Sequence, residues 1–190
     1  MPDNANNVIV TKRLRLEPFA LPHAAALLAY YERNRAHLET WEPARAANFY
    51  TEKYHADECE AAVVAAVHGR YVRFAVFESD GDDVIGIFNL WEIRPRFVSS
   101  VILGYSLDER YQGRGYATEA GEAVVRYAFD VLGLHRVEAA YQPTNARSGR
   151  VLRRLGFTVF GYAPDLLNFG DGWLDHVMTQ RLNDAWRPPA

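Results

Sequence analysis

Between residues 109 and 120 the chain reads ERYQGRGYATEA, with Gly113 and Gly115 either side of Arg114. A strand, a glycine turn and the start of a helix together make an anion site. The first N–H groups of a helix have no partner within it, and the helix dipole adds positive charge there. Glycine lacks the Cβ that would keep a phosphate away from those amides. Arg110 and Arg114 add formal charge. A P-loop is excluded, because no Gly-Lys-Ser or Gly-Lys-Thr occurs. A dinucleotide fingerprint fits poorly: Thr118 stands where its third glycine belongs, and the turn follows a hairpin rather than a first parallel βαβ unit. The plain alternative is a solvated turn whose glycines only end a strand. The six histidines show no metal-ligand spacing such as HExxH, so no metal is expected. The single cysteine, Cys59, lies among Ala61, Ala62 and Val63, which suits a structural thiol better than a nucleophile.

The elements that must hold this turn can be read from the patterning. Leu14, Leu16 and Phe19 alternate with polar residues in VTKRLRLEPFA, as in a half-buried strand. LPHAAALLAYYERNRAHL reads as one helix with Pro22 in its first turn, where a missing N–H does no harm. ETWEPARAANFYTEKY is an irregular loop and HADECEAAVVAAV a second helix. RYVRFAVFE and VIGIFNLWEI are strands joined by the hairpin signal SDGDD, and SVILGYSL is a third. After the glycine turn, Ala120, Val124, Ala128 and Val131 form one stripe of an amphipathic helix. HRVEAAYQ returns as a strand. NARSGRVLRRLGF has helical spacing with Gly156 at its end, and two strands flank FGDG. The result is a mixed α/β layer on a largely antiparallel sheet.

Composition sets outer bounds. A chain of 190 residues fits a single domain, 1–190, and is long enough to bury roughly 70% of its unfolded surface without a metal or disulfide. A net charge of −3 argues against general affinity for nucleic acid or anionic membrane. No run approaches the length of a membrane span, MPDNANNVIV lacks the form of a signal peptide, and one cysteine fits a reducing compartment. A cytoplasmic location is expected.

The run Gln112-Gly113-Arg114-Gly115-Tyr116-Ala117 resembles the acetyl-coenzyme A pyrophosphate loop of the GNAT superfamily of N-acetyltransferases. TNARSGRVLRRLGF resembles a second block of that family, and the element order agrees. YYERNRAHLETWEP, LGYSLDERYQGRGYATEA and DGWLDHV extend the resemblance, from about residue 10 to 186, to the RimJ-type and RimL-type ribosomal-protein alanine N-acetyltransferases. The resemblance implies a GNAT fold: a twisted, mostly antiparallel sheet of six to seven strands, about four helices, and central strands that splay apart. It implies that Tyr105, Ser106 and Leu107 present backbone to the pantetheine arm in that gap. Gln112, Gly113, Arg114, Gly115, Tyr116, Ala117 and Thr118 would hold the pyrophosphate. Asn145 would contact the pantetheine or the acetyl end, and is equally suited to capping the helix that follows it.

The implied chemistry is direct transfer: an uncharged amine attacks the thioester, backbone N–H groups stabilise the oxyanion, and a thiolate leaves. In relatives acting on ribosomal proteins a glutamate on the strand before the motif asparagine is the base, but here that position is Ala140. The position of their tyrosine acid is Leu152. Ser148 is the substitute candidate for the acid. Glu42, Glu138, Asp165 and the Asp175–His176 pair are candidate bases, with Glu42 preferred. An α-amino group titrates at about 7.7–8.0, against about 10.4 for lysine, so an N-terminal acceptor needs less help from a base. Tyr31, Trp41, Trp173 and Asp175 are the candidate acceptor contacts, the aromatics suiting an extended cationic peptide end. The expected activity is acetyl-coenzyme A-dependent acetylation of a protein N-terminus, specifically the alanine of a small-subunit ribosomal protein. A small amine such as a polyamine, amino acid or aminoglycoside is the alternative acceptor. A non-catalytic acyl-coenzyme A sensor or ribosome assembly factor is the alternative outside the enzymes. A monomer or homodimer is expected, without specific nucleic-acid binding.

Overall fold

The computed structural model describes residues 7–170 and 172–187. The first six residues and Asp171, at the FGDG turn, fall outside it, so the reading of the extreme N-terminus has no structural counterpart. Eight strands form one sheet: β1 (Ile9–Val10), β2 (Leu14–Pro18), β3 (Val72–Glu78), β4 (Gly86–Arg94), β5 (Ser100–Leu107), β6 (Arg136–Tyr141), β7 (Thr158–Asn168) and β8 (Trp173–Leu182). The helices are α1 (Ala24–Arg33), α2 (Arg35–Glu39), α3 (Glu52–Val67), α4 (Tyr116–Arg126) and α5 (Ala146–Arg154). The sheet order is β1-β2-β3-β4-β5-β6-β8-β7, antiparallel throughout except between β5 and β6.

Both counts exceed the expectation, for local reasons. The added strand is the two-residue β1 ahead of Leu14–Pro18. The first helix breaks at Asn34, where the Asn34 amide donates to the Tyr30 carbonyl and its Oδ1 accepts from Glu109 N–H. The class and the family fold stand as expected. No helix among the described residues is long and apolar enough to cross a membrane.

Two apolar clusters lie on opposite faces of the sheet. Strand alternation sends Leu16, Val72, Phe74, Phe88, Val101, Leu103, Val137 and Ala139 toward α4, the π-helical turn Tyr127–Val131 that continues it, and α5, where Ala120, Val124, Ala128, Leu152 and Leu155 meet them. Phe77, Val84 and Ile87 face the other way and pack with Leu27, Tyr30 and Tyr31 of α1 and Cys59 and Ala62 of α3. Cys59 is fully buried, and burial pushes its thiol up to about 11, which matches a structural role.

The feature that makes a site is a failure of pairing. Strands β5 and β6 run parallel, but their register stops at Ile102↔Glu138. Beyond it β5 pairs only with β4 through Leu107, and β6 only with β8 through Tyr141. The central strands therefore splay as expected, opening the sheet between Leu103–Leu107 and Ala139–Tyr141.

Candidate active site

The end of β5 is fixed from below by α1. Tyr30 donates to Ser106 Oγ at 2.9 Å, and Arg33 Nε to Asp108 Oδ2 at 2.6 Å. The Asp108 carboxylate is fully buried, and it also receives the backbone and guanidinium of Arg110. Burial raises its pKa, but the Arg110 and Arg33 hydrogen bonds outweigh that and hold it well below the ordinary carboxylate range. Arg110 is thus spent on Asp108 and does not supply the free charge that its place beside the glycines suggested.

Past this anchor the chain turns through Gly113 and Gly115 at φ +76° and +82°, the left-handed region that side chains disfavour. This turn delivers the chain to the N-terminus of α4 with the N–H groups of residues 113–118 donating to no acceptor among the described residues. A row of free amides at the positive end of a helix is suited to a pyrophosphate. Arg13 braces the turn from outside, donating to the Arg114 carbonyl at 2.9 Å and to Glu119 at 2.6 Å.

A groove of about 620 Å³ runs from this turn through the splayed sheet. Of the expected donor-side residues, Tyr105, Ser106, Leu107, Gln112, Gly113, Gly115, Tyr116, Ala117, Thr118 and Asn145 line it. Arg114 does not; its guanidinium lies over the Tyr111 ring at 5.5 Å. Asn145 caps α5, its Oδ1 accepting from Ser148 N–H at 3.0 Å. Gln112 bridges the walls of the groove, its Nε2 meeting His37 Nε2 at 2.8 Å and its Oε1 accepting from Arg147 at 2.5 Å. Ser148 Oγ lies 2.9 Å from the Tyr105 hydroxyl. Burial pushes Tyr105 up to about 12 against the opposing Ser148 bond, so the phenol keeps its proton and the pair can relay one. The Tyr105 ring stacks on Phe88, with centroids 5.2 Å apart.

The acceptor-side candidates separate. Trp41 and Glu42 line the groove, with Glu42 ion-paired to Arg45. Tyr31 does not reach it: it is buried against Phe49 and stacked on His55, because the α1 face that carries it is turned into the second core. Trp173 opens β8 on the protein surface, 57% exposed and outside the groove. Asp175 accepts from Tyr162 Oη at 2.6 Å and Asp165 N–H at 2.9 Å, bonds internal to the β7–β8 hairpin. Strand alternation puts its neighbour His176 on the opposite face, buried and lining the groove. The pair is therefore not a dyad. Glu138 is likewise removed, held by Arg94 and Arg136 at 3.2 and 2.9 Å.

Sequence reasoning missed the arginines of α5. Arg147, Arg150 and Arg154 line the groove from one helix face, and neither Arg150 nor Arg154 has an ion pair or hydrogen bond among the described residues. Their i, i+3, i+7 spacing was the available signal.

Residues 13–158 match the family model described as the acetyltransferase (GNAT) domain. The chain is 35% identical over 165 residues to the [ribosomal protein uS5]-alanine N-acetyltransferase of Escherichia coli, covering 85% of this chain and 84% of that protein. The chain belongs to the GNAT acetyltransferases. Among solved structures, the ribosomal-protein-S5-alanine acetyltransferase of Vibrio fischeri superposes with a TM-score of 0.92 at 31% identity, covering 96% of this chain and 100% of that one. Mycobacterium smegmatis RimJ, in complex with CoA-disulfide, superposes with a TM-score of 0.90 at 25% identity, over 96% and 90% of the two chains. As a GNAT member this chain is an N-acetyltransferase that uses acetyl-coenzyme A, and it stands close to the ribosomal-protein alanine N-acetyltransferases. The unpartnered amides and left-handed glycines of the 113–118 turn fit the anionic half of that co-substrate.

Proposed function

We propose that this GNAT enzyme, a single domain working in the cytoplasm, acetylates the N-terminal α-amino group of a protein, the alanine that begins a small-subunit ribosomal protein. The observation that carries this reading is the similarity, over most of both chains, to an enzyme named for that acceptor. The geometry agrees with it. The groove does not end at the donor half; it continues past Ser106 to Leu38, Trp41, Glu42 and His176, on the far side of the splayed strands. A donor bound along Gly113–Thr118 and an acceptor entering beside Trp41 would meet in the sheet's gap.

In this reading residues 113–118 and the α5 arginines bind the phosphates, and Tyr105–Ser148 sits where a departing thiolate needs a proton. Trp41 and Glu42 receive the peptide end, apolar wall and acid together suiting a cationic terminus beside a small side chain. The test is turnover by thiol release with short peptides. Peptides beginning with alanine should be acetylated in preference to the same peptides blocked at the terminus but carrying an internal lysine. Turnover confined to polyamines, free amino acids or aminoglycosides would replace this acceptor with a small amine. Tight acetyl-coenzyme A binding without turnover on any amine would replace the enzyme with a sensor.

A further inference from the structure

We propose that His176 Nε2 is the proton acceptor for the attacking amine, in place of the carboxylate that this chain lacks at Ala140. The inference rests on the reading of the groove's far half as the acceptor side. Four observations carry it. First, Ala140 and His176 share a sheet face: the pairing Ala140↔Met178 and Tyr141↔Val177 places His176 in line with position 142, one step further along the same face. A side chain missing from β6 is thus answered from β8. Second, the ring has a fixed orientation. Its Nδ1 lies 2.9 Å from the Leu174 carbonyl, which can only accept, so Nδ1 carries the hydrogen and the neutral ring presents Nε2 as a lone pair. Third, Nε2 has no partner among the described residues, yet it is not sealed: the residue is only 4% exposed, but this atom keeps part of that surface, and the residue lines the groove. The lone pair opens to the groove.

The fourth observation is that the competing groups are committed or lie elsewhere. Of the titratable groups in the groove, Glu42 is paired with Arg45. His37 is engaged by Gln112. Glu109 is not committed by a bond among the described residues but lies on the exposed turn that leads from β5 to the glycine loop, at the donor half of the groove. Tyr105 is occupied by Ser148, Tyr116 donates to Glu78, Tyr141 packs under Gly149 of α5 on the opposite sheet face, and the α5 arginines are cations without a basic lone pair. From the hairpin, Asp175 points to the other face, and Phe169 contributes only a tilted ring 6.4 Å from the imidazole.

The step balances. A proton passes from the acceptor ammonium to His176 Nε2. The freed amine then forms the N–C bond to the acetyl carbonyl carbon as the C–S bond breaks. The nitrogen sheds its second proton to solvent as the amide forms, the thiolate takes a proton from the Tyr105–Ser148 pair, which solvent replenishes, and His176 returns the first proton to solvent.

The experiment is His176→Gln, assayed from pH 6.5 to beyond the pKa of whichever amine the unsubstituted enzyme turns over, with acetyl-coenzyme A affinity measured in parallel. If His176 removes the amine's proton, kcat at pH 7 falls about 10²- to 10⁴-fold with donor affinity unchanged. The deficit shrinks as pH rises past the amine's own pKa, about 7.7–8.0 for a peptide terminus, because the base is then needed less. A merely structural histidine would give a deficit constant with pH. A kcat close to that of the unsubstituted enzyme at pH 7, or a pH-independent deficit, overturns the proposal. Should the glutamine variant lose donor binding, His176→Asn carries the same two criteria, and recovery of turnover in His176→Ala by added imidazole would support the role directly. Failure of the unsubstituted enzyme on alanine peptides would sink the acceptor reading alone, since the His176 comparison is made on any amine that reacts.

Discussion

Gly113 offers a sharp test of the donor loop, because strain and crowding separate there. Its φ is +76°, and a Cβ added to it would meet nothing within 4 Å. Replacing it with valine therefore introduces no clash within the protein, only the left-handed penalty of roughly 1–2 kcal/mol, at its most severe for a β-branched side chain. In the free protein the turn can relieve part of that strain by local rotation, since the amides of residues 113–118 are tied to no acceptor and, ahead of α4, only the Arg114 and Gly115 carbonyls are held. Binding a pyrophosphate on those amides restores the original turn and with it the strain, so the penalty appears in affinity rather than stability. One to two kcal/mol is about a 5- to 30-fold rise in Kd. Isothermal titration with acetyl-coenzyme A measures it, with thermal unfolding alongside. Gly133 is the control: φ is +66°, nothing lies within 4 Å of its Cβ position, and it does not line the groove. Gly133→Val should cost stability and leave binding alone. If Gly113→Val binds acetyl-coenzyme A within about twofold of the unsubstituted protein, or Gly133→Val weakens binding equally, the amide-row reasoning is wrong.

Other outcomes follow from the same geometry. Ser148→Ala should lower kcat about 10²-fold with donor affinity and fold retained, because the Asn145 cap uses the Ser148 backbone N–H and survives the change. Steady-state kinetics with binding measured separately checks this, and an unchanged kcat removes Ser148 from the chemistry. Asp108→Asn should lose about 1.5–3 kcal/mol in denaturant unfolding by removing the buried negative charge that Arg33 pairs with. The pH dependence has a definite sign: the folded-state pKa lies below the unfolded value, so Asp108's contribution is complete above about pH 4 and lost as pH falls toward the folded pKa. A stability difference between Asp108→Asn and the unsubstituted protein that does not narrow on acidification would contradict it. Arg150→Ala and Arg154→Ala should weaken acetyl-coenzyme A binding more at low salt than at high, as charges facing a phosphate through solvent are screened. Equal losses at both ionic strengths would assign them to packing.

How much of this was legible in the sequence depended on the range of the interactions concerned. The glycine turn, the amphipathic stripe of Ala120, Val124 and Ala128 and the Asn145 cap are local, and local spacing announces them. What joins distant segments was hidden. Arg110 reads as a free cation beside two glycines until Asp108 and Arg33, one of them on a helix far upstream, are seen to form one network. Tyr31 and Trp173 are both large aromatics near plausible site motifs. One is core and the other surface, because burial was decided by how α1 packs and where the β7–β8 hairpin ends. The Asp175–His176 pair looks like a dyad in one dimension, and the alternation of β8 separates it. Ala140 looks like a lost base until the register of β6 on β8 brings His176 to the same face.

Delivery of an acetyl group through the groove to a peptide's terminal alanine is the proposed reaction. Its most direct measurement is mass spectrometry of small-subunit ribosomal proteins, prepared from cells lacking this enzyme and incubated with it and acetyl-coenzyme A. One added acetyl group is expected, located by fragmentation on the α-nitrogen of a protein beginning with alanine. Acetylation confined to lysine side chains, or no increment on any N-terminus by an enzyme that still turns over small amines, would contradict it.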